Sequence, residues 1–175
     1  MLTDGVFVVA ILPALLAAAA IFDLTSYTIP NIVPAAMIML FAAFMLVIAA
    51  GGHALSLDVA GLHLLAGATG LLVGMGMFAL GWVGGGDAKL FAVTALWLGW
   101  DSLFEYAVVA SVLGGALTFA LLGLRRVSLP PALMRVTWLA RLANSQSGIP
   151  YGVALSVAAL VVLPDSQIFH IAAMG

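Results

Sequence analysis

Apolar runs of roughly bilayer length alternate with short polar stretches along the chain. Six runs stand out, at residues 5–22, 32–50, 59–82, 88–100, 103–124 and 149–163. A helix of about 20 apolar residues crosses the hydrocarbon core of a bilayer. The pattern predicts an all-α, polytopic membrane helix bundle with about six transmembrane helices. The first run has neither a basic segment before it nor a cleavage site after it, so we expect a retained span rather than a signal peptide.

Glycines in the third run predict a close contact between two helices. Gly67, Gly70, Gly74 and Gly81 would lie on one face of that helix. Small residues at such spacings let a neighbouring helix approach closely. The pattern therefore indicates that another span packs tightly along this face.

The most polar part of the chain, residues 127–147, contains Arg135, Trp138 and Arg141. Its helical part could lie in the membrane interface, with arginines toward the lipid headgroups. It could equally be an ordinary solvated loop. The sequence favours neither alternative.

Composition agrees with a membrane protein. Of the 175 residues, 65% are apolar and 7% are charged, and the mean hydropathy is +1.28. In soluble domains about a quarter of the residues are charged. We therefore expect residues 1–175 to form a single domain that is embedded in the lipid bilayer and has no nucleic-acid partner. The lack of cysteine excludes disulfides and cysteine-based metal sites.

Basic residues are confined to one side of the predicted bundle. If the six runs cross the membrane alternately, all five basic residues fall on the same side: Lys89, Arg125, Arg126, Arg135 and Arg141. An excess of Lys and Arg marks the cytoplasmic side. The sequence thus predicts a multi-pass protein of the inner (cytoplasmic) membrane with both termini outside.

Two acidic residues share that cytoplasmic side. Asp23 follows the first run, and Asp87 stands at the start of the fourth. Alternation of the spans places both at the same depth. A carboxylate at membrane depth costs about 2.5 to 3.5 kcal/mol on insertion scales, so it usually faces a partner or a polar cavity. We therefore expect Asp23 and Asp87 to share one site.

Paired carboxylates beside glycines suit an aspartic hydrolase. Two carboxyl groups in contact share one proton, so the ionised one can take a proton from water while the other donates to the scissile carbonyl. Gly84, Gly85 and Gly86 directly precede Asp87 and would let a substrate backbone approach. The alternative is a simple turn between spans, with Asp87 as the N-cap of the next helix.

Two other functions could use the same residues. Paired intramembrane acids and glycine-broken helices also occur in proton- or cation-coupled transporters. The outer halves of the runs are nearly all apolar and no internal repeat is visible, which favours the hydrolase. A structural subunit of a secretion assembly could keep the fold without the chemistry, but the presence of both Asp23 and Asp87 argues against it.

These motifs resemble those of the type IV prepilin peptidases, which are GxGD intramembrane aspartyl peptidases. Residues 84–87 read Gly-Gly-Gly-Asp, and residues 85–90 have the form G-G-D-x-K-L. Asp23 with the Ile-Pro-Asn sequence at 29–31 is similar to the family's first aspartate motif. The Pro-Tyr-Gly sequence at 150–152 is similar to a third, weaker element.

The resemblance implies a catalytic pair, Asp23 and Asp87, that removes the short basic leader from prepilins or pilin-like proteins at the cytoplasmic membrane face. It also implies possible partners among pilus or secretion assembly components. Because no domain with paired cysteines precedes the first run, the chain is most similar to the short, peptidase-only branch associated with Flp-type tight-adherence pili. Six further residues are expected to bind substrate or shape the site: Gly84, Gly85, Gly86, Lys89, Pro30 and Asn31.

Three polar residues have simpler expected roles. Lys89 lies about 200° around a helix from Asp87, so we expect its ammonium to reach lipid phosphate rather than that carboxylate. Asn31 could orient Asp23 or cap the second span, and capping is favoured. His63 is expected to make a hydrogen bond between helices. With no histidine cluster or acidic metal motif in the sequence, we predict no metal and no cofactor.

Overall fold

In the computed structural model of the protein, the structure describes residues 7–50, 57–127 and 130–174, which form helices joined by turns and contain no strand. The predicted start of the first run, at residue 5, lies outside them. The helices are α1 (Leu12–Ser26), α2 (Ile32–Ala50), α3 (Leu57–Ala79), α4 (Gly85–Leu98), α5 (Trp100–Leu124), α6 (Pro131–Met134), α7 (Thr137–Ala143), α8 (Tyr151–Val162) and α9 (Gln167–Met174). A π-helical turn, Phe7–Ile11, leads into α1, and a 3₁₀ turn, Leu163–Asp165, follows α8.

Among the described residues, four helices are long and apolar enough to cross a membrane: Phe7–Ser26, Ile32–Ala50, Asp58–Ala79 and Trp100–Leu124. They agree with four of the six predicted spans. The other two predicted spans correspond to α4, with 14 residues, and α8, with 12. Both are shorter than the length that crosses a bilayer unaided. A membrane helix bundle is therefore supported, and the count of six crossings stays a prediction.

The close contact predicted from the glycines of α3 is confirmed for three of them. A Cβ on Gly67, Gly70 or Gly74 would lie 3.0 Å from an atom of α4. Real Cβ atoms rarely come this close to a neighbour, so the two helices approach through the space that these glycines leave. The helices α3 and α4 thus form an antiparallel hairpin with a narrow seam, which we call the glycine seam (Gly67, Gly70 and Gly74).

Gly81 does not belong to this seam, so its predicted place on the packed face is wrong. The helix ends at Ala79, and Gly81 has φ of +73°; apart from its two chain neighbours, no described residue lies within 4 Å of where its Cβ would stand. The N–H of Gly81 donates to the carbonyl of Phe78, and that of Trp82 donates to Met77. This is a Schellman ending, in which glycine is favoured because it tolerates the left-handed conformation.

The short helices α4 and α8 occupy the interior of the bundle. Helix α8 packs against α1, α4 and α5. Trp97 of α4 is fully buried, and its indole N–H donates to the backbone carbonyl of Met37 in α2 at 3.0 Å. In contrast, Phe104 and Phe119 of α5 are 80% and 78% exposed, as lipid-facing side chains of a membrane helix are.

His63 links α3 to α4, as predicted. Its side chain is buried, and Nδ1 lies 2.9 Å from the carbonyl oxygen of Leu96. A carbonyl can only accept, so Nδ1 is the donor. The bond joins α3 to α4 at the end of the hairpin that is remote from Asp87.

The polar segment after α5 is a folded structure over one end of the bundle. It contains α6 and α7, with Leu142 buried. The guanidinium of Arg125 donates to the backbone carbonyls of Leu142, Ser147 and Gly148 at 2.8 to 3.0 Å. These bonds hold the start of α8 against the end of α5, so the segment helps to position α8.

Candidate active site

Asp23 lies in the last turn of α1 and is only 4% exposed. The helix ends at Tyr27, whose φ of +57° is uncommon for a bulky residue, and the Tyr27 N–H donates to the Asp23 carbonyl at 2.9 Å. The chain then turns sharply and directs Ile29 back into the interior, where it is 7% exposed. This turn places the Asp23 carboxylate and the Ile29 side chain on the same side of the bundle end.

Asp87 lies in the first turn of α4. The N-cap of this helix is Gly84, whose N–H donates to Asp87 Oδ2 at 3.1 Å. The alternative in which Asp87 itself is the N-cap is therefore wrong by three positions. A carboxylate in the first helical turn is stabilised by the free N–H groups and by the positive end of the helix dipole.

The two carboxylates converge on the start of α8. A Cβ added to Gly152 would lie 2.8 Å from Asp23 Oδ2 and 2.7 Å from Ile29 Cδ1. The N–H of Gly152 interacts electrostatically with both Asp23 and Asp87, and the charge of Asp87 acts on Asp23. The structure thus brings together the two acids that lie 64 positions apart in the sequence, and Gly152 is the residue that both of them approach.

Each carboxylate keeps one buried oxygen without a partner. Within the described part of the chain, Asp23 Oδ2 and Asp87 Oδ1 accept no hydrogen bond of normal geometry, although the Gly152 N–H lies near. Buried polar atoms are rarely left unpaired in a folded protein unless they bind water, a proton or a ligand. These two oxygens are therefore free to accept a hydrogen bond from a ligand or to carry a proton.

A cleft of about 520 Å³ opens beside Asp87 between α3, α5 and α8. Asp87 is the one charged side chain among the described residues that line it. Its walls are mainly apolar: Val73, Met77, Trp82, Phe91, Tyr151 and Leu155. The cleft can receive an apolar segment whose end reaches the carboxylate.

The three glycines before Asp87 have different surroundings. Gly84 caps α4 through its N–H, as described above, and Gly85 packs against the Phe78 ring at 3.5 Å from where a Cβ would stand. A Cβ on Gly86 would lie 3.2 Å from Ile29 Cβ. Gly86 therefore leaves room for Ile29, and the role of the three glycines in shaping the site stays a prediction.

Lys89 and Asn31 form a hydrogen bond with each other on the side of α4 that faces away from the cleft. Lys89 Nζ donates to Asn31 Oδ1 at 2.8 Å. This bond was not among the roles predicted for either side chain. Pro30 lies just before α2, and its carbonyl accepts the Val33 N–H at 3.0 Å. Two contacts thus join the motif that follows Asp23 to the motif around Asp87. One is between Asn31 and Lys89, and the other is between Ile29 and Gly86.

Gly152 and Ile29 were not selected from the sequence as site residues. The sequence at 150–152 was noted as a weak motif, which was the available signal for Gly152. The sequence does not mark Ile29 as a site residue, because its apolar side chain has no reactive group and only fills the space between Gly86 and Gly152. No three metal-ligating side chains gather among the described residues, and the absence of a metal from the reaction stays a prediction.

Comparison with known proteins agrees with this arrangement. The sequence model of the type IV leader peptidase family matches residues 10–119. This match covers more than half of the chain and both Asp23 and Asp87, whereas Gly152 lies beyond it. No curated protein and no solved structure matches the chain. With its paired acids in membrane-type helices and a match of this extent, the chain belongs to the type IV leader peptidase family.

Proposed function

We propose that this protein is an aspartic endopeptidase that removes the short basic leader from prepilins or pilin-like proteins at the cytoplasmic face of the inner membrane. The observation that carries the proposal is the convergence of the Asp23 and Asp87 carboxylates on the Gly152 N–H. Membership of a leader peptidase family supports the reaction class, and the geometry supports the two aspartates as its catalytic residues.

The paired carboxylates can supply both proton transfers of peptide hydrolysis. Repulsion between two neighbouring carboxylates favours a state in which one carboxyl is ionised and the other protonated. The ionised carboxylate takes a proton from water as the water oxygen attacks the scissile carbonyl carbon, and the protonated carboxyl donates to the carbonyl oxygen. When the tetrahedral intermediate collapses, the proton taken from water passes to the departing amine, and the oxygen proton returns to its carboxyl.

The fold supplies positioning for these steps. Asp87 is fixed by the Gly84 N–H at the start of α4, and Asp23 is enclosed by Ile29 and the start of α8. Because only Asp87 lines the apolar cleft, we assign it to first contact with the scissile bond. Apolar side chains next to that bond would occupy the cleft, and the basic leader would extend toward the cytoplasm.

The bundle end that carries the site also carries basic residues. Arg141 donates to the carbonyl of Thr25, in the last turn of α1, at 3.4 Å, and Arg125 holds the chain before α8. Lys89 follows Asp87 by two positions. Positively charged residues favour the cytoplasmic side, so we place the site at that face, with both termini outside and six crossings in all.

The proposal is tested with Asp23→Asn and Asp87→Asn. Asn preserves the size of the side chain but cannot exchange the proton, so each variant should lower cleavage at least a thousandfold, about 4 kcal/mol of barrier. Pilin-like proteins from the same genome are incubated with the purified peptidase, and products are measured by gel mobility and by the mass of the new N-terminus.

Asp101→Asn provides a matched control. Asp101 is an exposed acid in the first turn of α5, and its replacement should leave the cleavage rate within twofold of the original. Each variant must elute as a folded protein in detergent. Processing at near the original rate by either the Asp23 or the Asp87 variant would overturn the two-aspartate mechanism.

A further inference from the structure

A second groove lies on the opposite side of α4 from the catalytic cleft. It has a volume of about 460 Å³ and is bounded by α2, α3 and α4. Asn31 and Lys89 stand at one end, and Ile38 and Leu96 stand seven positions further along their helices. At about 1.5 Å per residue, the groove extends about 10 Å from its polar end into the apolar part of the bundle.

The polar end of the groove carries an uncompensated positive charge. Lys89 is exposed, and its ammonium donates to the neutral amide oxygen of Asn31. No acidic residue occurs among those that line the groove. An ammonium has three donors, so Lys89 keeps hydrogen-bonding capacity for an anion while Asn31 holds it in place.

The groove opens sideways on the bundle surface. Of the apolar residues that line it, Ile38 is 51%, Leu64 62% and Leu71 42% exposed. These side chains lie on the lipid side of α2 and α3. An occupant would therefore enter from the bilayer with its polar end at the depth of Lys89.

From this juxtaposition we propose that the groove binds a phospholipid with an anionic headgroup, with the headgroup phosphate on Lys89 and one acyl chain along α2, α3 and α4. A phospholipid presents an anionic end and an apolar chain in the order that the groove requires. A basic substrate leader is disfavoured at this end, because Lys89 would repel it. The proposal concerns lipid binding and does not depend on the peptidase activity.

The headgroup is tested by titrating the purified protein with phosphatidylglycerol and with phosphatidylcholine of identical chains, and by counting bound lipids with native mass spectrometry. We expect phosphatidylglycerol to bind roughly fivefold more tightly, the contribution of one basic residue at an anionic surface. Lys89→Gln should remove this preference. Arg126→Gln, which removes an exposed cation away from the groove, should retain it. Equal binding of both lipids, or a preference that survives in Lys89→Gln, would overturn the headgroup assignment.

The acyl-chain position is tested by filling the groove. Ala68 lines it and is exposed, so Ala68→Phe should lower binding of both lipids at least fivefold, and Ala35→Leu serves if that variant does not fold. Ala120→Phe, at an exposed position on α5 outside the groove, is the control. Unchanged binding in the filled variants refutes the groove as the site. A photocrosslinker at Leu71 should capture lipid, and capture of a pilin-like substrate or of a second copy would contradict the proposal.

Discussion

Two sets of glycines in this protein allow close approach, and their neighbours differ. In the glycine seam, an added Cβ would meet atoms of α4, which is a neighbouring helix. At the site, an added Cβ on Gly152 would meet Asp23 Oδ2, and on Gly86 it would meet Ile29. The first set brings two helices together, whereas the second leaves room for the Asp23 carboxylate and for the Ile29 side chain beside it.

The comparison separates stability from reaction geometry. Extra volume in a packed interface raises the energy of the folded state by about 1 to 3 kcal/mol. Extra volume beside a catalytic group can displace it, and a shift of about 1 Å can cost a hundredfold in rate. The same substitution, Gly→Ala, should therefore lower mainly the stability in the glycine seam and mainly the cleavage rate at Gly152 and Gly86.

The largest effect is expected at Gly152. In Gly152→Ala the new methyl group would stand 2.8 Å from Asp23 Oδ2 and 2.7 Å from Ile29 Cδ1, so the carboxylate must move. We expect the cleavage rate per folded molecule to fall about a hundredfold, a barrier change of about 2.7 kcal/mol. The rate and the melting temperature are measured on the same purified sample.

The double variant Gly152→Ala with Ile29→Val separates the two contacts. Valine lacks Cδ1, so it relieves the contact with Ile29 but not the contact with Asp23. The melting temperature should recover in part, and the rate should stay low. Recovery of the rate in the double variant would show that Gly152 serves packing alone and would place it with the glycine seam.

A smaller loss is expected at Gly86. Its added Cβ would lie 3.2 Å from Ile29 Cβ and 3.4 Å from the Ile29 nitrogen, so the neighbour need move only a few tenths of an ångström. Gly86→Ala should lower cleavage about tenfold, or about 1.4 kcal/mol, with little change in melting temperature. A fall in stability that accounts for the whole loss of cleavage would instead assign Gly86 to the turn between spans.

Much of the fold could be predicted from the sequence because a helix that crosses a membrane needs about 20 apolar residues in a row. Apolar length predicted six spans, four of which are helices long enough to cross a bilayer, and the spacing of Gly67, Gly70 and Gly74 indicated the seam. Gly81 was assigned wrongly because periodicity does not reveal where a helix ends. The short helices α4 and α8 are surrounded by other helices, so their apolar residues report burial in protein as well as in lipid.

Charge and the alternation of the runs predicted that Asp23 and Asp87 lie near each other, whereas they did not predict the roles of Ile29 and Gly152. Ile29 and Gly152 act through shape, and the sequence carries no chemical signal for shape. The bond between Lys89 and Asn31 joins residues 58 positions apart, and helical spacing within one segment could exclude a partner for Lys89 but could not supply one. Most of the site contacts that the sequence did not predict therefore join segments that are distant in the chain.

The smallest effect on the reaction is expected in the glycine seam. In Gly70→Ala the new Cβ would lie 3.0 Å from Ala95 Cβ and 3.2 Å from Ala92 Cα, and a backbone atom cannot turn aside. We expect a loss of about 1 to 3 kcal/mol in stability. The cleavage rate per folded molecule should remain within twofold of the original, because Gly70 faces Ala92 and Ala95, which lie one to two helical turns along α4 from Asp87.

Gly76→Ala is the matched control for Gly70→Ala. Gly76 also lies in α3, but nothing stands within 4 Å of its added Cβ. Alanine is favoured over glycine in a helix by about 0.5 to 1 kcal/mol, so the melting temperature should rise slightly. Opposite shifts in melting temperature, with both rates preserved, would identify steric crowding as the cause of the Gly70→Ala loss. If Gly70→Ala instead lost cleavage tenfold while remaining stable, the seam would also control the position of Asp87, and the distinction between the two sets of glycines would fail.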